Sequence, residues 1–317
     1  MDLSGFTGKN VMITGGTGSF GHFMTKVLLE SKLNKLVIFS RDQTKQAQMR
    51  REFSDPRLKF ILGDVRDYLR VEESVADIDL LFHAAAFKII TACEEFPMET
   101  VKTDLLGTEN VHRACSVKGV ERAVFISTDK AAKPISVYGM AKGIAEKVFI
   151  SQEFDSTTIF NVVRHGNVAG SRDSVIPYFR TLIKEGKPLP ITHPKMTRFW
   201  ITSNEAIELV LTALFYKDSN RILIPELPAC TMLELAKAIG GPNYPIEIVG
   251  IRPVEKLNEC LITEDEMFRT TKTWDNKYFV INPHGYPLGY KTREEYTSDG
   301  TRQLTSLEIQ ELLKNAL

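Results

Sequence analysis

The segment Thr14–Gly21, T-G-G-T-G-S-F-G, constrains this chain more than any other. It follows an apolar run, Asn10–Thr14 (NVMIT), and leads into an amphipathic stretch over Gly21–Ser31. Glycine permits the tight turn and lets the backbone come close to a diphosphate. A helix that begins there offers unpaired N–H groups and the positive end of its dipole to an anion. A glycine triplet is by itself a weak signal, with an ordinary strand-to-helix turn as the alternative. Its place after the first strand makes it a candidate dinucleotide cradle, formed by Thr14, Gly15, Thr17, Gly18, Ser19, Phe20 and Gly21.

The first half continues the alternation. Lys35–Ser40 (KLVIFS), Lys59–Leu62, Asp79–His83 (DLLFH), Arg122–Ser127 (RAVFIS) and Asn161–Arg164 (NVVR) read as strands separated by helical stretches. Strands joined by helices imply an α/β fold with a Rossmann-type, doubly wound parallel sheet. Right-handed crossovers place the strands' C-terminal ends along one edge, where ligands bind. The second half changes character, with Pro and Gly clustered at Gly186–Pro194 and Gly240–Pro245. It reads as a smaller, mixed α/β C-terminal substrate domain. Phe199–Tyr216 reads as a helix that returns to the main sheet, and Thr305–Leu317 as a final helix capped by Thr305 or Ser306. The expected division is 1–167 with 199–221 for the dinucleotide domain, and 168–198 with 222–317 for the substrate domain.

Composition narrows the function classes. Forty basic residues balance forty acidic ones, so nothing argues for a nucleic-acid or membrane surface. No apolar run approaches the roughly 20 residues of a membrane span. The four cysteines, Cys93, Cys115, Cys230 and Cys260, form no C-x-x-C pair and suit reduced thiols in a cytoplasmic protein. No signal peptide is visible in Met1–Lys9, and no metal site is expected.

The second strand ends in Ser40-Arg41-Asp42, with Lys45 close behind. An NAD site usually places a carboxylate at this tip to hold the ribose 2′-hydroxyl. A guanidinium suits a 2′-phosphate instead, so the residues favour NADP over NAD. Asp42 leaves two readings open, a hold on the ribose of NAD or a partner for Arg41; a solvated helix start is the plain reading of Arg41 and Lys45. Asp64-Val65 follows the third strand, where a carboxylate can meet the adenine amino group. Ala84-Ala85-Ala86 follows the fourth, where small side chains let a cofactor lie against the backbone or let helices pack closely.

Tyr138 and Lys142 stand in Y-G-M-A-K, four apart and so on one face of a helix. An ammonium beside a phenol lowers the phenol's pKa from about 10 towards neutrality. Such a tyrosinate can take a proton from a sugar hydroxyl. About ten residues earlier, the fifth strand ends in Ser127-Thr128-Asp129-Lys130, polar groups at the edge where active sites form. A capped turn explains one or two of them, but not an adjacent carboxylate and amine.

These stretches resemble the extended short-chain dehydrogenase/reductase superfamily. Within it the chain is similar to the inverting UDP-N-acetylglucosamine 4,6-dehydratases that begin pseudaminic acid synthesis and whose relatives serve polysaccharide biosynthesis. The likeness is carried by ITGGTGSFG, FSRD, GDVRD, HAAA-x-K, KTDLLGTENV, STDKA, YGMAK, RHGNVAGSR, SVIP, MTRFW, IRPVEKL and EYTSDG, in order over nearly the whole chain. It implies that Tyr138, helped by Lys142, deprotonates the 4-hydroxyl while NADP is reduced. Thr128 then binds the 4-oxygen, Lys130 is the base at C5, and Asp129 protonates the departing 6-hydroxyl. An amine must be neutral to act as a base, so this role demands a depressed Lys130 pKa. The alternative is a charged lysine that holds the diphosphate. The likeness places Lys88, Asn167, Ser174, Val175, Arg198, Arg252 and Glu255 around the UDP-sugar, with Glu255 orienting Arg252 and surface ion pairing as the plain reading of the arginines. It implies a homo-oligomer, dimer or hexamer.

Some positions depart from the group's pattern: Phe87-Lys88-Ile89-Ile90, Asp104 for Asn, His165 for Tyr, Asp173 for Gly, and Pro253-Val254 for a pair that includes Gly. Lys88 is a candidate acid-base group on the second face of the sugar. The alternatives are a related UDP-sugar enzyme that does part of the sequence, either a 5,6-ene-forming dehydratase or a 4- or 5-epimerase, and a non-catalytic NADP-binding regulator. The second would be expected to lack Tyr138 or Lys142.

Overall fold

The computed structural model describes residues 1–154, 156–172, 174–285 and 294–316. The chain forms two compact units. The first takes Met1–Ser127, Val137–Val163 and Ile207–Leu223; the second takes Thr128–Ser136, Arg164–Ala206 and the residues from Ile224 onward. The short segment 128–136, which the sequence division assigns to the dinucleotide domain, groups with the second unit.

The first unit alternates strand and helix from its start: β1 (Asn10–Thr14), α1 (Ser19–Leu29), β2 (Lys35–Ser40), α2 (Gln43–Glu52), β3 (Leu58–Leu62), α3 (Tyr68–Ser74) and β4 (Leu80–His83). Next come α4 (Ile90–Glu95), α5 (Pro97–Thr100), a π-helical turn (Val101–Leu106), α6 (Gly107–Lys118), β5 (Arg122–Ile126), α7 (Val137–Phe149) and β6 (Ile159–Val163). These strands pair in parallel in the order β3-β2-β1-β4-β5-β6. Their near-continuous apolar sequences suit a sheet covered on both faces: every residue of β4 is buried, while the edge strand β3 exposes Lys59 and Leu62. The chain runs outward in both directions from β1, which makes the C-terminal end of β1 the switch point where a crevice opens.

Past β6 the chain builds β7 (Asn167–Val168), α8 (Val175–Lys184), β8 (Leu189–Ile191), β9 (Thr197–Ile201), α9 (Ser203–Leu214) and β10 (Arg221–Pro225). Most of α9 and the start of β10 return to the first unit, where β10 adds to β6 in parallel. The expected helix over Phe199–Tyr216 is therefore too long. Phe199, Trp200 and Ile201 are consecutive, bulky and buried, and they lie in β9 between β7 and β11 (Ala229–Thr231). Continuous burial of such a run suits a strand covered on both faces better than a one-faced helix. Asn161 in β6 is buried at 0% exposure because its amide donates to the carbonyls of Ala213 and Asp218.

The remainder is α10 (Met232–Gly240), β12 (Ile246–Ile248), β13 (Cys260–Ile262), α11 (Glu264–Met267), β14 (Thr270–Lys272), β15 (Tyr278–Ile281), β16 (Tyr296–Thr297) and α12 (Ser306–Lys314). Helices α8, α10 and α12 share a core with Trp200, Met196, Ile191 and Cys230. Thr305 caps α12 in a reciprocal box with Glu308, as Thr231 does for α10 with Glu234. No helix among the described residues is long and apolar enough to cross a membrane.

Candidate active site

In the first unit the glycine turn closes onto the segment after β4. Gly15 has φ +65, and a Cβ there would stand 2.7 Å from the Cα of Ala85. A Cβ on Gly21 would stand 2.1 Å from the carbonyl oxygen of Gly16. Only glycine lets the turn, the alanine segment and α1 pack this closely. Gly18 is the N-cap of α1, with no side chain capping the helix and no acidic residue in its first turn. The turn thus keeps the features of an anion cradle. Thr17 is buried, Ser19 and Phe20 are half-buried, and the hydroxyl of Thr14 bonds Nδ1 of His83 at 2.6 Å. The amide of Ala84 donates to the carbonyl of Thr14, which fixes Ala84–Ala86 beside the turn.

Asp42 follows the tip of β2. It caps α2 by accepting the Lys45 N–H at 2.9 Å and faces the Lys45 ammonium at 3.3 Å. The Lys45 N–H is the chief cause that holds its carboxyl below the ordinary value. Ser40 is buried, with its hydroxyl and carbonyl accepting from Gln46. Arg41 is exposed, 3.7 Å from Asp64. Asp64 is gripped by Arg66 through its backbone N–H and guanidinium. Val65 is buried against Gly107.

Helix α7 carries Tyr138 and Lys142, both buried. Lys142 Nζ donates to the carbonyl of Ile126 at 2.8 Å, the end of β5, and lies 3.9 Å from the centre of the Phe125 ring. Burial pulls its ammonium down to about 8, against the opposing pull of Asp104 and Glu146. A lysine poised near neutrality beside a tyrosine one turn away suits proton handling. Glu146, one turn further, accepts the hydroxyl of Ser127 at 2.5 Å. Lys88 is exposed after β4.

In the second unit, residues 128–136 begin with a single 3-10 turn over Asp129–Ala131, capped by Thr128. The Asp129 N–H donates to the carbonyl of His165. Oδ1 of Asp129 accepts from the Thr128 hydroxyl and from Lys130 Nζ, each at 2.9 Å. A second carboxylate, Glu259 just before β13, stands 3.5 Å from the same ammonium. Burial would raise the Asp129 pKa, but the charge and hydrogen bond of Lys130 outweigh it and hold the carboxyl below its usual range. Burial would lower Lys130, but Asp129 and Glu259 outweigh it and raise the amine above its usual value. The depressed pKa expected of a base is thus not found at Lys130, whose charged form Asp129 and then Glu259 favour.

Arg198, on β9, is 6% exposed and its guanidinium is largely spent within the fold. It donates to the carbonyls of Thr197, Leu257 and Lys256, and lies 3.6 Å from Glu255. Glu255 accepts the backbone N–H of Arg252 at 3.3 Å, while Arg252 itself is exposed. Asn167 lies on β7, paired in register with Trp200. Ser174 is the N-cap residue of α8, and Val175 is its first residue. Asp173 lies outside the described residues. Sequence reasoning missed Glu259, which sits four residues past Glu255 in a segment with no periodic pattern, and it noted Asp104 only as a departure.

Residues 11–283 match the model of a family described as polysaccharide biosynthesis protein. The chain belongs to that family. It is 43% identical over 283 residues to the UDP-N-acetylglucosamine 4,6-dehydratase (inverting) of Campylobacter jejuni, covering 88% of this chain and 84% of that protein. It is 39% identical to a UDP-glucose 4-epimerase of Rickettsia bellii, covering 98% and 96%. Among solved structures, Pen from Bacillus thuringiensis is similar over 98% of both chains, at 34% identity and a TM-score of 0.92. The dTDP-glucose 4,6-dehydratase DesIV from Streptomyces venezuelae shares the fold, at 20% identity and a TM-score of 0.72 over 78% of this chain and 86% of that one. The Rossmann-type α/β architecture read from the sequence is therefore the architecture of the family.

Proposed function

We propose that this protein is a UDP-N-acetylglucosamine 4,6-dehydratase of the C5-inverting type, with a UDP-4-keto-6-deoxy-hexosamine as product. The observation that carries the reading is the contact between buried Asp129 and half-buried Lys130, 2.9 Å from oxygen to nitrogen. A 4-epimerase needs proton transfer at the 4-hydroxyl alone, the work of Tyr138 and Lys142. A 4,6-dehydratase needs in addition a base at C5 and an acid at O6. The pair holds one proton, which rests on the lysine. Its transfer along the existing hydrogen bond breaks an N–H bond and forms an O–H bond. That single shift yields a neutral amine to take the C5 proton and a carboxylic acid to protonate the leaving 6-hydroxyl. Lys88 is the candidate donor to C5 from the opposite face. The hydroxyl of Thr128 is engaged by Asp129, so its proposed hold on the 4-oxygen requires that bond to open.

The residues fit a nicotinamide cofactor: the cradle of Gly15, Gly18 and Gly21 for the diphosphate, and Tyr138 with Lys142 for the ribose and proton transfer. Such a cofactor, when bound, supplies oxidation at C4 and reduction at C6. The commitment of Asp42 to α2 and Lys45 leaves Arg41 at the strand tip, which favours NADP over NAD. A homo-oligomer belongs to the same proposal, supported by Met140 and Ile144, which lie four apart on α7 and are 49% and 50% exposed. A cytoplasmic setting is supported by four buried cysteines in the free form.

The test is incubation with UDP-N-acetylglucosamine in D₂O, read by proton NMR. The expected product has a new 6-methyl signal without coupling to C5, because C5 carries deuterium. Untouched substrate refutes the reading. A C4 epimer that retains its C5 proton establishes the epimerase reading that the Rickettsia relative suggests. Olefinic signals without a methyl mark an enzyme that stops at the 5,6-ene.

A further inference from the structure

Glu259 has no part in the chemistry set out above, yet its carboxylate is buried among three cations. It is 3% exposed. Its Oε1 stands 3.5 Å from Lys130 Nζ and 3.9 Å from Arg198 Nε, and its Oε2 stands 3.5 Å from Lys256 Nζ. Oε2 accepts no hydrogen bond among the described residues. A buried carboxylate left this way is costly unless opposite charge surrounds it, and three cations do. The backbone is fixed as firmly: the Glu259 N–H donates to Ser298 Oγ at 2.9 Å, and its carbonyl accepts the Ser298 N–H at 2.8 Å. Ser298 Oγ in turn bonds Thr197 Oγ1 at 2.6 Å, and Thr197 also donates to Asn258. Residues of three separate sequence stretches, MTRFW, IRPVEKLNE and EYTSDG, therefore converge on the placement of one carboxylate.

We propose that Glu259 is a positioning residue that clamps the Lys130 ammonium together with Asp129 and so governs when the amine is released. The inference rests on the role of Lys130 in the proposed reaction. The charged groups around the clamp are Asp129 and Lys130 on the 3-10 turn, Arg198 on β9, and Glu255 and Lys256 in the segment before β13. With two carboxylates against it, Lys130 stays protonated while the site is at rest. Neutralising Glu259 leaves Asp129 as the sole anion on the amine, and the proton is then held less firmly. Lys256 competes with Lys130 for Glu259, so its removal acts in the opposite sense.

The experiment is NMR titration of the Lys130 side chain in the whole ligand-free protein, with lysine labelled at Cε and the signal assigned through Lys130→Arg. Glu259→Gln is expected to lower the Lys130 midpoint by about one to two pH units, while Glu259→Asp keeps it within about half a unit of wild type. Lys256→Met is expected to raise it, which keeps the inference testable should Glu259→Gln fail to fold. A midpoint unmoved by both Glu259→Gln and Lys256→Met overturns the proposal. The second readout is the pH profile of C5 deuterium exchange, whose alkaline rise is expected about one pH unit earlier in Glu259→Gln. A loss of rate without displacement of the profile means mere structural support and overturns the proposal. Wild type that never exchanges C5 sinks the dehydratase reading instead, while the lysine titration still decides the clamp.

Discussion

Asp104→Asn is the substitution whose outcome follows most directly from the structure. Asp104 lies on the π-helical turn Val101–Leu106 and is 1% exposed. Its Oδ1 accepts the Phe87 N–H at 2.6 Å, and its Oδ2 has no hydrogen-bond partner among the described residues. Burial pushes its carboxyl from 3.8 up to about 6, against the pull of Lys142, the Phe87 N–H and Arg41. The folded state therefore holds the proton more tightly than the unfolded chain. The stability this contributes is complete below 3.8 and is lost as the pH rises through about 6. A rise of about 2 pH units corresponds to ~3 kcal/mol. Asparagine keeps the acceptor for Phe87 and cannot ionise. It places an amide N–H₂ where Oδ2 found no partner, at ~1 kcal/mol or more, and it gives up the attraction to Lys142. The variant is expected to be about 1–2 kcal/mol more stable than wild type at pH 8 and less stable at pH 4, a swing of ~3 kcal/mol. Urea unfolding of both proteins by far-UV circular dichroism across that range reads the swing directly. A difference between the two that stays flat from pH 4 to 8 would refute the reasoning.

Three further outcomes are expected. Arg41→Ala should raise the KM for NADP by about tenfold or more while that for NAD changes by less than about twofold; equal effects on both would remove Arg41 as the 2′-phosphate anchor. Tyr138→Phe should cut kcat by roughly 10²–10⁴-fold, with UDP-sugar affinity by calorimetry within about threefold of wild type; retained turnover would exclude the phenol as the acid-base group. Val254 holds φ +56 between Arg252 and Glu255, a conformation that a β-branched residue adopts only under strain. Val254→Gly should therefore gain about 0.5–1 kcal/mol in stability despite the greater freedom of its unfolded chain; a fall in thermal midpoint would show that the valine side chain contributes more than its backbone costs.

Local pattern sufficed wherever the responsible interaction is short in sequence. The cradle was legible because Gly21 meets the backbone of Gly16, an approach that follows from a strand, a turn and a helix in immediate succession. Lys142 one turn from Tyr138 was legible because helix geometry alone puts them on one face. Even the Thr305 cap could be read, since its partner Glu308 is three residues away. The strand Thr197–Ile201 was not legible, because an apolar run of that length reads equally well as part of a buried helix until its partners β7 and β11 are known.

The amino-acid sequence by itself determined the alternating parallel sheet, the glycine turn at its switch point and the residue types of the proton-handling groups. Their charge states were decided only by tertiary structure. Lys130 reads as a base or as a charged holder of the diphosphate until Glu259, 129 positions later, is seen beside it. Electrostatic energy depends on distance through space and on burial, and neither is a function of separation along the chain.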